Sequence, residues 1–331
     1  MKILLAPMEG VLDYTLRDIL TRVGGIDLCV SEFIRVTDRL LPQRVFRRLV
    51  PELGGDCQTS AGIPVIVQLL GNDPVALGEN AVRAVEMGAP GIDLNFGCPA
   101  KTVNKSRGGA ILLQDPEEVY AIASGVQHAL AKAVPLTAKM RLGFYDKVLA
   151  LENAQALEAA GVQQIVVHAR TKVEGYRPPA HWEWIARIRE SVAIPVVANG
   201  EVWTPTDFDR CREISGCRDV MIGRGLIANP FLALQIKNRV SGSASVGMVE
   251  ASLWPQVLAL VLDYHRLVMQ RVQSRHVHGR TKQWLQMMKH QFPEAEQLFI
   301  QLRTERDAET IDGVLQRESD RLALQMDRQS A

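Results

Sequence analysis

No two cysteines in this chain stand at C-x-x-C spacing, and the five present (Cys29, Cys57, Cys98, Cys211, Cys217) are an odd number. That argues against a disulfide framework or a zinc site and fits a reducing compartment. No apolar run approaches the ~20 residues a membrane span needs, and the opening "MKILLAPMEG" is too short for a secretory apolar region. The expectation is a soluble, cytoplasmic protein. A charge excess is missing too: 38 Lys and Arg against 37 Asp and Glu leave a net charge of +1. Any nucleic-acid surface must therefore be a local patch. Finally, no G-x-G-x-x-G follows the first strand-like run, which counts against an open dinucleotide-binding sheet.

What the chain does have is a repeated alternation. Short apolar runs recur at 3–7, 27–33, 63–70, 91–95, 136–142, 164–169, 194–200 and 219–225. Amphipathic segments of helical period lie between most of them, such as "ALGENAVRAVEMG" and "ALENAQALEAAG", the latter closed by Gly161. Eight buried strands alternating with helices predict an α/β fold, a (β/α)8 TIM barrel, over residues 1–240. The small residues "SGSASVG" at 241–247 read as a linker. Beyond it, three-to-four spacing of apolar residues predicts a small all-helical domain over 241–331, with a polar tail from about Thr304.

In such a barrel the chemistry sits at the C-terminal strand ends. Here those ends carry Pro7, Met8 and Glu9; Glu32 and Arg35; Gln68; Asn95 and Cys98; Lys139 and Arg141; His168 and Arg170; Asn199, Gly200 and Glu201; and Gly223 and Arg224. Polar residues are easily accommodated at any single strand end, but a filled set on all eight points to a site. The glycines in "ANGEVW" and "IGRGLIANPFL" let backbone N–H groups approach a phosphate, with Arg224 adding charge. Lys139 suits an anionic reduced flavin ring, with Gln68 offering donor and acceptor to the same edge. The structural alternative for Lys139 is a strand-end lysine reaching solvent.

Cys98 sits in "FGCPAKT", a loop of Gly, Pro and Lys, whereas Cys29, Cys211 and Cys217 lie in or beside apolar runs and read as inert. A thiol with a pKa of about 8.5 is mostly protonated near neutral pH, so Cys98 can serve as an acid. Neighbouring metal ligands are lacking. A nucleophilic role stays open, although no histidine stands nearby in sequence to support it.

The segments "APMEGV", "QLLG", "DLNFGCPAKTV" with "GGAILL", "KMRLG", "VVHARTK", "VVANGEV" and "VMIGRG" together resemble the tRNA-dihydrouridine synthases from residue 3 to about 230. Within that family the chain is most similar to the bacterial C-type branch, which reduces uridine 16 of tRNA, on "MEGVLD", "EFIRVTDRLLP", "VPELGGD" and "GRTKQWL". The resemblance implies an FMN-binding catalytic barrel followed by a helical domain that grips tRNA. NADPH would reduce the flavin; hydride would pass from N5 to C6 of uracil, and Cys98 would protonate C5. Flavin contacts would fall on Pro7, Met8, Glu9, Gln68, Lys139, His168, Asn199, Gly200, Glu201, Gly223 and Arg224. The uridine and its tRNA would meet Arg35, Asn95, Tyr176, Arg280, Lys282 and Arg303. No metal and no membrane is implied, and a monomer is expected. "GYRPPAHWEW" departs from the family in the loop after Tyr176, and the resemblance is not traced past residue 304.

One reading of the residues agrees independently. From Tyr264 to Pro293 the chain holds Arg266, Arg271, Arg275, Arg280, Lys282 and Lys289, with four histidines and no Asp or Glu. Such a local excess suits RNA phosphates. Two alternatives stay open: an FMN-dependent dehydrogenase of a free pyrimidine or small enone, and a non-catalytic RNA-binding barrel. Removing residues 241–331 separates the first from a tRNA enzyme, and flavin content separates the second.

Overall fold

The computed structural model describes residues 1–242 and 253–330. Most of the expected linker, 243–247, lies outside the described residues. Nine strands are present among them: β1 (Ile3–Leu5), β2 (Leu28–Val30), β3 (Ile34–Arg35), β4 (Val65–Leu70), β5 (Ile92–Phe96), β6 (Leu136–Arg141), β7 (Gln164–His168), β8 (Val196–Asn199) and β9 (Val220–Ile222). All pair in parallel. β9 returns to β1, with Leu5 opposite Ile222, and β2 pairs with both β1 and β4, so eight strands close a barrel. The ninth, β3, is a two-residue extension beside β4. It splits the expected run 27–33 from Arg35, which therefore sits on its own short strand.

The helices are α1 (Tyr14–Val23), α2 (Gln43–Leu49), α3 (Pro74–Glu86), α4 (Lys101–Lys105), α5 (Pro116–Leu130), α6 (Ala150–Ala159), α7 (Trp182–Ser191), α8 (Pro205–Ser215), α9 (Arg224–Ala228), α10 (Leu232–Ser241), α11 (Trp254–Arg271), α12 (Ser274–Met288), α13 (Pro293–Leu302) and α14 (Ala308–Ser330). Three barrel helices start the same way, with an oxygen-bearing cap followed by proline. Asp73 accepts from the N–H groups of Val75 and Ala76, Asp115 from those of Glu117 and Glu118, and Thr204 forms a reciprocal box with Asp207. Each cap satisfies otherwise orphaned donors and contributes about 1 kcal/mol, while Pro at the first position loses no hydrogen bond. Among the described residues no helix is long and apolar enough to cross a membrane.

Two compact units emerge: Met1–Tyr14 with Ile26–Gly223, and Thr15–Gly25 with Arg224–Ala331. In the first, Leu4, Ala6, Val30, Val166, Val197 and Met221 form a buried layer, with Leu28 and Ile66 packed against it. Strand side chains alternate between faces. The residues two positions further along therefore point the same way, toward the mouth: Gln68 after Ile66, His168 after Val166 and Asn199 after Val197. This period of two explains why the polar set sits directly above an apolar plug.

In the second unit, buried Trp284 donates its indole N–H to the Ile227 carbonyl at 3.0 Å and packs edge-on against Tyr264, ring centroids 5.0 Å apart. Buried His265 bridges the Thr281 hydroxyl (2.8 Å) and the Ala308 carbonyl (2.9 Å). Burial pushes its pKa down, keeping the imidazole neutral.

Candidate active site

Cys98 lies three residues after an asparagine that holds it. The side-chain oxygen of Asn95, on β5, accepts from the backbone N–H groups of Gly97 and Cys98, both at 2.9 Å. From the other side, Asn104 donates to the Cys98 carbonyl at 2.9 Å and the Ala110 N–H does so at 3.1 Å. Gly109 presses directly on the turn. It adopts φ +70°, and a Cβ there would sit 2.8 Å from the Cys98 carbonyl oxygen and 2.9 Å from its Cβ. Gly109 is thus a packing requirement of the cysteine turn.

The thiol is half-buried, the other four cysteines are buried, and none is bonded to another. Burial pushes the Cys98 pKa up, and Glu9 adds to this, while the Ala100 N–H, Arg141 and Arg35 pull it down. The net rise keeps the sulfur protonated at neutral pH, as an acid requires. Glu9 and Arg35 thus act on the thiol through their charge, although both side chains are exposed.

Lys139 stands opposite Asn95 in register on β6, half-buried, and donates to Asn199 at 3.1 Å; Asn199 in turn donates to the Met221 carbonyl at 2.8 Å. Burial, with Arg141 adding to it, lowers the Lys139 pKa to about 8 against the opposing pull of Asp93 and Cys98. Gln68 is fully enclosed. Its amide donates to Asp93 at 2.6 Å and accepts from Asn95 at 2.8 Å.

His168 is buried, with the exposed ring of Tyr176 edge-on at 5.9 Å. The Arg141 guanidinium lies 5.2 Å from the same Tyr176 ring. Next to Asn199, Gly200 accepts the Trp182 indole N–H at 2.9 Å. Glu201 pairs with buried Arg170 and with the Trp203 indole. Pro7 and Met8 are half-buried, and a Cβ on Gly223 would stand 3.2 Å from the Met8 sulfur. Pro7, Met8 and Glu9 follow β1, Asn199 ends β8 with Gly200 next to it, and Gly223 follows β9, three strands that pair side by side. In sequence Arg224 follows directly and begins α9.

The basic stretch of the second unit is less free than its sequence suggested. Arg266 pairs with Asp312 at 2.8 Å, and Arg271 reaches Asp18 at 3.6 Å. Lys282 donates to the Arg303 and Glu305 carbonyls at 3.3 and 2.7 Å, capping the end of α13. Arg280 bonds Gln283 at 3.4 Å, and the Arg303 side chain is exposed. Carboxylates distant in sequence do the neutralising, so a count confined to 264–293 overstates the patch.

Sequence reasoning passed over Asp93. It lies in "GIDLN", buried, and accepts from Gln68 and from the Thr137 hydroxyl at 2.6 Å. Burial pushes its pKa up, while Gln68, Thr137 and Lys139 oppose the rise. A carboxylate inside an otherwise apolar strand was the available signal.

Comparison with known proteins gives one consistent answer. The family model described as dihydrouridine synthase (Dus) matches residues 4–319. The tRNA-dihydrouridine(16) synthase of Aquipseudomonas alcaligenes is 55% identical over 95% of this chain and 99% of its own length. The protein of the same name from Shewanella oneidensis is 46% identical over 96% and 98%. Among solved structures, histamine dehydrogenase from Rhizobium sp. 4-9 aligns with 73% of this chain and 46% of its own, at a TM-score of 0.53 and 16% identity. That likeness concerns the barrel fold alone.

Proposed function

The chain belongs to the dihydrouridine synthase family, and on that premise we propose that it reduces uridine 16 of tRNA to 5,6-dihydrouridine, using FMN and NADPH. The observation that carries the reading is the half-buried Cys98 thiol, its pKa pushed up by burial, on a turn fixed from three sides.

The residues present suit a flavin. Lys139 uses one of its three N–H bonds on Asn199, leaving two for an anionic ring edge. Gly200, Glu201 and Gly223, with Arg224 following, suit the ribityl chain and phosphate, and a side chain at Gly223 would crowd Met8 and Ala6. Pro7, Met8, Glu9 and His168 would hold the flavin ring, with Gln68 and Lys139 toward its polar edge. When bound, the reduced flavin supplies hydride to C6 of the uracil ring.

The chain's own residues do the rest. Cys98 gives its proton to C5, so the C5–C6 double bond gains one hydrogen at each carbon and the thiolate regains a proton from solvent. Asn95 orients both the thiol turn and the base, and Tyr176, stacked over Arg141, borders the substrate side. The base must leave its stack to reach this depth. Arg35, Arg280 and Arg303 contact tRNA phosphates, and Lys282 braces the α13 terminus beside Arg303.

Purified protein should be yellow, bleach with NADPH, and regain colour on tRNA lacking dihydrouridine. Colourless protein that refuses added FMN would overturn the reading.

A further inference from the structure

Two backbone N–H groups set the polarity of a chain of side chains beneath the thiol. Those of Gly97 and Cys98 both point at one end of Asn95 at 2.9 Å, and that end must be its oxygen. The Asn95 amide nitrogen then faces Gln68 at 2.8 Å, which requires the Gln68 oxygen there. That leaves the Gln68 nitrogen facing Asp93 at 2.6 Å, where only an acceptor will do. The second Asp93 oxygen accepts from Thr137 at 2.6 Å. Every amide in the line has one permitted orientation, and the line ends on a side chain that, ionised, can only accept.

We propose that Asp93 is a positioning residue: through Gln68 and Asn95 it holds the backbone N–H groups of Gly97 and Cys98, and so the place of the thiol. The geometry explains why an ionisable residue occupies β5 at a buried position where an apolar one would cost less. Anchoring reaches the Cys98 backbone N–H through three hydrogen-bond steps, none longer than 2.9 Å. Asp93 itself touches neither the thiol nor the mouth, so its effect on turnover must pass through Asn95. This inference rests on the reading of Cys98 as the acid, but its structural part does not.

A polarity swap tests it. Gln68→Glu places two carboxyl groups against each other and should raise hydrogen exchange at the Cys98 backbone N–H at least tenfold in the flavin-loaded protein. The same variant should lower dihydrouridine formation. Adding Asp93→Asn restores an alternating donor and acceptor order, because the new amide donates to the carboxylate introduced at position 68 while Asn95 keeps its orientation. Exchange in Q68E/D93N should return to within about threefold of the parent, corresponding to less than about 0.7 kcal/mol. A double variant that exchanges as fast as Q68E would overturn the proposal. Should Q68E fail to fold, neutron diffraction on the parent decides: deuterons on Gln68 Nε2 facing Asp93 are expected, and a reversed Gln68 amide would refute the relay. Were Cys98 not the acid, exchange would still follow the swap while turnover would not.

Discussion

Arg141 donates from Nε to the Gly97 carbonyl at 2.9 Å, one residue before Cys98. Its Nη1 donates to the Thr171 and Gly175 carbonyls at 3.1 and 3.0 Å. One buried guanidinium therefore joins the cysteine turn to the loop carrying Tyr176. Arg141→Met should cost about 2–4 kcal/mol of stability, since several buried carbonyls lose charged donors. Turnover on tRNA should fall at least tenfold. Arg141→Lys keeps the charge but not the planar fork, and should recover only part of either loss. Urea unfolding and a dihydrouridine assay on the two variants check this.

Gly109 and Gly175 both have positive φ, +70° and +64°, but only Gly109 abuts the cysteine. Gly109→Ala combines left-handed strain with overlap against Cys98 and should destabilise by about 2–4 kcal/mol while displacing the thiol. At Gly175 an added Cβ meets nothing within 4 Å, so Gly175→Ala should cost only about 1–2 kcal/mol. Equal losses in thermal melts of the two variants would contradict this packing argument.

Lys139 gives a pH dependence with a definite sign. Its pKa falls from 10.5 in the unfolded chain to about 8 in the folded one. Between those values the unfolded state binds more protons, so stability from this group rises with pH. Below pH 8 the charged, buried ammonium is a full burden; above 10.5 it is none. Lys139→Met should accordingly be more stable than the parent at pH 7, by on the order of 2 kcal/mol, with the gap closing toward pH 10. Urea titrations of both proteins from pH 7 to 10 measure it, and a gap that widens with pH would reverse the assignment.

Glu174 works in the opposite sense. Burial favours its neutral form, yet Lys147 at 2.9 Å, the Thr171 N–H and the charge of His181 outweigh that and hold its pKa at about 2. Its stabilisation is present above its unfolded pKa near 4.5 and is lost as pH falls toward 2. Because Glu174 lies two residues from Tyr176, Glu174→Gln should raise KM for tRNA several-fold and leave flavin reduction by NADPH unchanged.

Much of this was legible in the sequence. The eight apolar runs correspond to the eight barrel strands because a strand buried on both faces needs continuous apolar residues. Gly161, read as a helix stop, follows α6 with φ +87°. The cysteine loop was conspicuous because Gly, Pro and Lys suit neither strand nor helix. What stayed hidden depends on long-range proximity. Asp93 looked like one polar letter in an apolar run, and its partners Gln68 and Thr137 are 25 and 44 residues away. Asp312 and Asp18 lie outside the basic stretch they neutralise. The two-residue β3 is too short for any periodicity to reveal.

The central claim is that the Cys98 sulfur delivers a proton to the reduced uracil, and Cys98→Ala tests it most directly. Stopped-flow reduction of the flavin by NADPH should match the parent, while single-turnover dihydrouridine formation on unmodified tRNA should slow by about 10²-fold or more, the contribution of a positioned general acid. Dihydrouridine formed at the parent rate by the alanine variant would contradict the account.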